Sequence, residues 1–245
     1  MNGQDRTIAG RNWFGPLPRG WTAMPVRRVA RIHNGATPAS EVEDNWGGDI
    51  AWLTPEDIGT NVSNLAGRDL RESRRTLTRK GLASCATQLV PEGALIISIR
   101  APIGYVGIAR TSMCFNQGCK GLVLMPGIVP EYVYYALIAA RPELDLLGVG
   151  TTFKELSRER LASVKLPFPP TAEEQRRIAE GLDALVSRMD EQIRNLSGNH
   201  LTRPGGLLGR MSALLLERRA ALIAAAVTGQ LPFPGDRGGA VRVAA

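Results

Sequence analysis

The chain has 245 residues, 44% hydrophobic and 22% charged, with thirty Lys and Arg against twenty-three Asp and Glu, a net charge of +7 and a pI of about 9.8. That length allows one sizeable core plus an appendage, or two small domains, and no apolar run approaches the roughly 18 residues of a membrane span. Residues 1–20 lack the apolar core of a secretory signal, which predicts a cytoplasmic protein with free thiols at Cys85, Cys114 and Cys119; the basic balance fits a polyanionic partner and equally an arginine-rich solvated surface.

Residues 1–20 read as a polar lead-in whose Trp13 and Phe14, with Trp21, are available to tuck it onto the body. Strand-like runs follow at 51–54 (AWLT), 94–100 (ALIISIR), 105–109 (YVGIA) and 120–126 (KGLVLMP), separated by the turn signals His33-Asn34-Gly35, Trp46-Gly47-Gly48-Asp49, Pro91-Glu92-Gly93 and Pro126-Gly127. A helix-like stretch occupies 130–144. Short strands with sparse helices predict an α+β domain with a curled mixed sheet. Pro167, Pro169 and Pro170 then end the body, and Thr171 with Glu174 forms a capping-box pattern that starts a helix over about 172–196. Its apolar residues Ile178, Leu182, Leu185, Met189, Ile193 and Leu196 fall at helical spacing, a stripe that requires a partner helix. Gly198, Pro204, Gly205, Gly206 and Gly209 interrupt the pattern over 197–209, a second helix spans about 211–227, and residues 231–245 form a loose tail. Residues 1–167 are thus expected as one domain and 168–230 as a coiled-coil-type helical region.

The residue patterns of common catalysts are missing. Cys114 and Cys119 match no common zinc spacing, which predicts no metal site. Phe168-Pro169-Pro170-Thr171 lacks both the polar first residue and the aromatic last residue of an amino-methyltransferase loop, and no Gly-Lys pair is present for a phosphate-binding loop. Gly104 and Gly107 suit a tight hairpin better than a phosphate turn. Glu56 and Asp57 follow Thr54-Pro55 as acidic residues of a helix first turn, which accounts for them without catalysis. His33 and His200 have no nucleophile beside them.

In order and spacing, LPRGW (17–21), HNGATP (33–38), WGGDIAWLTPEDIG (46–59), VPEGALIISIRAPIGYVGIA (90–109), FNQGCKGL (115–122), GTTFKEL (150–156), LPFPPTAEEQRRI (166–178) and ERRAALIAAAVTGQL (217–231) resemble the specificity subunit of type I restriction-modification systems. The resemblance implies a non-catalytic target-recognition domain that reads half of a split DNA site. It also implies a helical region that docks methyltransferase (M) subunits and, through them, restriction (R) subunits. S-adenosylmethionine is then expected on the methyltransferase partner, and no cofactor on this chain.

Phosphates need donors and base edges need short polar or bidentate groups. The candidate DNA-binding residues are Thr37, the basic run Arg74, Arg75, Arg79 and Lys80, the group Asn116, Gln117 and Lys120, and the loop residues Thr151, Thr152 and Lys154. A solvated helix face accounts for the basic run equally well, and Arg100 reads as a buried structural cation. Trp46 and Trp52 read as core rather than stacking platforms. A typical family member carries two recognition domains and two helical regions, whereas this sequence carries one of each. A homodimer is therefore expected, paired through Ile178, Leu182, Leu185, Met189, Ile193, Leu196, Leu215 and Leu222, which would read an inverted repeat. A different half-subunit as partner would give an asymmetric site. The family helix would normally continue through 197–207, so that stretch reads as a hinge or a loop in the rod. The alternative reading is a coiled-coil assembly protein whose basic surface tolerates DNA without reading it.

Overall fold

A computed structural model describes residues 12–63, 67–150, 154–197 and 207–231, with the side chains of 61–63 and 197 excepted. The first strand, β1 (Thr22–Pro25), pairs antiparallel with β10 (Lys165–Phe168), so the two ends of the body close on each other. The lead-in is tied to this ribbon: Trp13 Nε1 donates to Lys165 O at 2.9 Å and Phe14 is buried.

A five-stranded sheet forms the centre, in the order β2 (Ala30–Asn34), β9 (Cys119–Leu124), β6 (Leu95–Ser98), β7 (Val106–Ala109) and β4 (Asp69–Leu70). It is mixed, because β4 runs parallel to β7 while the other pairs are antiparallel. Every residue of β6 and β7 is buried. That explains an unbroken apolar run where alternation would mark a half-exposed strand. Leu95 and Ile97 enter a core completed by helices, whereas Ile96 enters a second core with Leu53, Leu70 and Phe115 on the opposite face. On that second face a Cβ at Gly107 would meet Leu70 Cγ at 2.6 Å, and one at Gly121 would meet Phe115 Cζ at 2.7 Å. Neighbouring side chains occupy the space that other residues would need.

A smaller three-stranded sheet, β5 (Arg75–Leu77), β3 (Trp46–Leu53) and β8 (Met113–Phe115), covers that face. The sheet expected as one unit is therefore divided into three, and the β6–β7 connection over 99–105 is a longer loop than the expected tight hairpin. Short helices fill the corners: α1 (Val26–Val29), α2 (Pro55–Ser63), α3 (Arg79–Ala83) and α6 (Arg158–Ser163). The helix expected over 130–144 is split into α4 (Pro130–Ala139) and α5 (Arg141–Leu147). Pro142 has no N–H to continue the ladder, and the first helix is capped at Ala140.

Helix α7 (Ala172–Ser197) starts where its cap predicts, with Glu174 N donating to Thr171 Oγ1 at 3.1 Å. Helix α8 (Leu207–Val227) begins within the stretch expected to be an interruption and packs back along α7. The single Tyr132 hydroxyl proton is shared between Pro167 O at 2.8 Å and Val227 O at 3.2 Å, which holds the end of α8 beside the start of α7. The two helices form an antiparallel hairpin, about 39 Å long for its longer arm, rather than one interrupted rod. Residues 198–206, and the expected tail from 232 onward, lie outside the described residues.

This pairing corrects the expected helical interface. Ile178, Leu182, Met189 and Ile193 are buried, and Leu185, Leu196, Leu215 and Leu222 are half-buried, within one chain. Ile178, Leu182 and Val186 share the main core with Tyr132, Leu137, Ile223 and Val227. The stripe finds its partner in α8 and α4, because packing within one chain does not pay the translational and rotational entropy of associating with another. On the hairpin, the large apolar residues left exposed are on α8: Leu207 at 76%, Leu214 at 63%, Leu216 at 46% and Met211 at 43%; Leu146, Val149, Leu89 and Val42 are exposed on the body. No helix among the described residues is long and apolar enough to cross a membrane.

Candidate nucleic-acid interface

Because β2 and β6 are both antiparallel to β9, the ends of β2 and β6 and the start of β9 lie at one end of the central sheet. Asn34 pairs with Lys120 there, and Ser98 pairs with Cys119. The turn at 116–118 and the loop after Asn34 meet at this end. Ala36 N donates to Phe115 O at 3.1 Å, and a Cβ at Gly35 would lie 2.0 Å from Asn116 O, so the two segments pack backbone to backbone. Thr37 Oγ1 then donates to Gln117 Oε1 at 2.6 Å. Two candidates separated by eighty residues are thereby joined. Gln88 extends the same polar edge: Asn34 N donates to Gln88 Oε1 at 2.9 Å, and Gln88 N donates to Asn34 O at 3.2 Å.

The loop carrying Thr37 is anchored on both sides by indoles. Trp52 Nε1 donates to Ala36 O at 3.0 Å, and Trp46 Nε1 donates to Ala39 O at 3.3 Å, where Asn45 Nδ2 also donates at 3.3 Å. Trp52 is buried and Trp46 half-buried, with their rings edge to face. Both indoles fix the polar loop, a role their positions in the sequence do not reveal. Arg75 lies with its guanidinium carbon 3.4 Å from the Trp46 ring centroid.

The basic run does not share one helix face. Arg74 is taken up by two carboxylates, at 2.6 Å from Glu56 and 3.0 Å from Asp57. Arg75 is on β5, while Arg79 and Lys80 open α3, whose N-cap Thr78 accepts from Gly81 N at 3.0 Å. Lys80 pairs with Asp44 at 2.6 Å. Arg79 is exposed and makes no hydrogen bond or ion pair among the described residues. The Glu56–Asp57 pair has the structural role its context suggests: Asp57 Oδ2 accepts from Thr54 N at 2.8 Å and from Thr54 Oγ1 at 2.6 Å. Burial alone would raise the Asp57 carboxyl, but hydrogen bonds from Thr54 and Arg74 hold it below its ordinary 3.8.

Lys120 is half-buried, and its ammonium also has no hydrogen bond or ion pair among the described residues. Burial lowers its pKa below the ordinary value, with the charge of Glu155 opposing and that of Arg158 assisting. Exposed Arg158, which no sequence signal singled out, is likewise without an ion pair among the described residues. Leu156 N donates to Ile99 O at 2.8 Å, which brings the 154–158 segment against this same end of the sheet. Lys154 pairs with Asp145 at 2.7 Å, whereas Thr151 and Thr152 lie outside the described residues. Arg100, expected as a buried cation, is exposed and pairs with Glu155 at 3.0 Å. Cys114 and Cys119 are buried; burial pushes the Cys114 thiol up to about 12 and the Cys119 thiol further, which leaves both as neutral packing groups.

The surface therefore combines cations without an ion pair among the described residues and short polar side chains on anchored loops, the two kinds of group that duplex DNA requires. Residues 18–196, which include this edge and nearly all of α7, match the model of the type I restriction modification DNA specificity domain. The chain belongs to this family. It is 32% identical over 184 residues to the specificity subunit of the type I restriction enzyme MjaIX of Methanocaldococcus jannaschii, a match covering 74% of this chain and 40% of that protein. The fold is similar to the HsdS subunit of Thermoanaerobacter tengcongensis, with a TM-score of 0.58 at 22% identity over 89% of this chain and 47% of that one. It is also similar to a chain of a type I R-M system solved for its complex assembly and conformational transition, with a TM-score of 0.57 at 23% identity over 92% of this chain and 50% of that one. This specificity-family chain spans about half the length of such relatives.

Proposed function

We propose that this chain is a non-catalytic specificity subunit that reads one half of a bipartite duplex site in the cytoplasm and brings an adenine methyltransferase and a nuclease-translocase to it. The family match over residues 18–196 carries this reading, because it takes in the polar sheet end and the first rod helix together. Lys120, Arg79 and Arg158, which have no ion pair among the described residues, supply phosphate contacts, and the loops bearing Thr37 and Gln117 supply base contacts. S-adenosylmethionine is bound by the methyltransferase partner, and this chain holds no cofactor.

A second copy provides the other half-site. The solved relatives are about twice as long, and the exposed Leu207, Met211 and Leu214 recur at helical spacing on the outer face of α8. Two copies related by a two-fold axis read an inverted repeat, with the helical hairpins setting the spacer.

Competition binding tests the central claim. A duplex selected from a random pool is expected to displace labelled site at concentrations at least about 1,000-fold lower than non-specific duplex does. Equal displacement by random duplex would leave an assembly protein with a DNA-tolerant surface and end the specific-reader proposal.

A further inference from the structure

The polar sheet end presents two adjacent side-chain amides, and the fold treats them differently. Asn116 is taken up by its turn: its Oδ1 accepts from Gly118 N at 2.9 Å, its backbone N–H donates to Leu53 O at 2.9 Å, and its carbonyl accepts from Cys119 N at 3.1 Å. Gln117 is exposed, and its single hydrogen bond among the described residues is the one received from Thr37.

An amide oxygen has two lone pairs, and its nitrogen has two protons. With one lone pair engaged by Thr37, Gln117 keeps one acceptor site and both donors side by side in a plane. The complement of that array is a neighbouring donor and acceptor on a base edge. In the major groove adenine offers this pair at N6 and N7, whereas guanine offers two acceptors, cytosine a donor, and thymine an acceptor beside a methyl group.

The pair is also fixed before DNA arrives. Thr37 lies between Ala36 and Ala39, whose carbonyls are held by Trp52 and by Trp46 with Asn45. Gly35 packs against the backbone of Asn116. A free glutamine loses rotamer entropy on binding, and one already held by a hydroxyl on an anchored loop loses less.

We infer that Gln117 is a base-reading residue specific for adenine through paired hydrogen bonds to N6 and N7, and that Thr37 is its positioning residue. This assignment rests on the DNA-reading function proposed above.

The test is selection of the full chain, and of its variants, on a double-stranded oligonucleotide library randomised across the bound region. The wild-type motif is expected to hold an adenine whose replacement weakens binding roughly 10- to 100-fold. Gln117→Ala removes discrimination at that position alone, and Gln117→Glu transfers it to cytosine, whose N4 donates to a carboxylate. Thr37→Val weakens discrimination at the same position, whereas Thr37→Ser keeps it. Thermal melts of each variant establish that the fold is retained. A Gln117→Ala motif identical to wild type, a change confined to a position other than adenine, or an equal loss at every position each overturns the assignment while leaving the DNA reading in place. A wild-type chain that enriches no motif removes both.

Discussion

Among the basic residues, charge in the sequence and availability in the fold are separate matters. Arg74 and Arg79 belong to one run, yet Arg74 bridges Glu56 and Asp57 whereas Arg79 has no ion pair among the described residues. Arg79→Ala is expected to weaken DNA binding uniformly across sequences and to lower the slope of log K against log salt by about 1, read from titrations at several salt concentrations. Asp57 is a stability residue. Its folded pKa lies below the unfolded 3.8, so the unfolded chain binds more protons; the stabilisation is complete above 3.8 and is lost as pH falls through the lower folded value. Melting temperatures measured from about pH 5 down to about pH 2 should therefore fall more steeply for wild type than for Asp57→Asn. The candidates Thr37 and Gln117 were legible as residue types. Their contact was not, because it forms across eighty residues and depends on where β2 and β8 end.

Elements were legible where one local signal dominated. The cap at Thr171 and the apolar period of α7 specify its start to the residue, since proline, hydroxyl and periodicity all point to the same place. Thr171→Ala should reduce stability by about 1 kcal/mol and Leu182→Ala by about 2–5 kcal/mol, both measured by denaturant unfolding. The larger loss follows from Leu182 being fully buried between body and rod. Gly107→Ala should cost about 1–3 kcal/mol in the same assay, because its methyl would have to displace Leu70. Helix α8 was less legible: leucine and alanine occur on every side of it, so periodicity names no buried face. The division of the sheet into three was also not local. Continuous apolar strands indicate burial on both faces but do not say which strands form the second layer.

For the whole molecule, the helical hairpin alters the meaning of the apolar stripe. Of the residues expected to bind another copy, Ile178 and Leu182 lie in the chain's own core and Met189 and Ile193 are buried, while Leu207, Met211 and Leu214 stay exposed on α8. Mass measurements across a dilution series should show a wild-type dimer that Leu214→Glu converts to monomer without loss of helical signal. A wild-type monomer at micromolar concentration would refute obligate pairing. By itself the sequence determined the α+β class, the family signature, the entry into α7 and the types of residue suited to DNA, because capping, periodicity and motif spacing act over short stretches of chain. Tertiary structure alone decided which cations have no ion pair among the described residues, which amide Thr37 holds at the sheet end and which helix covers the stripe. Each of these depends on groups brought together by strand pairing and by the return of α8, whose consequences do not decline with separation along the chain.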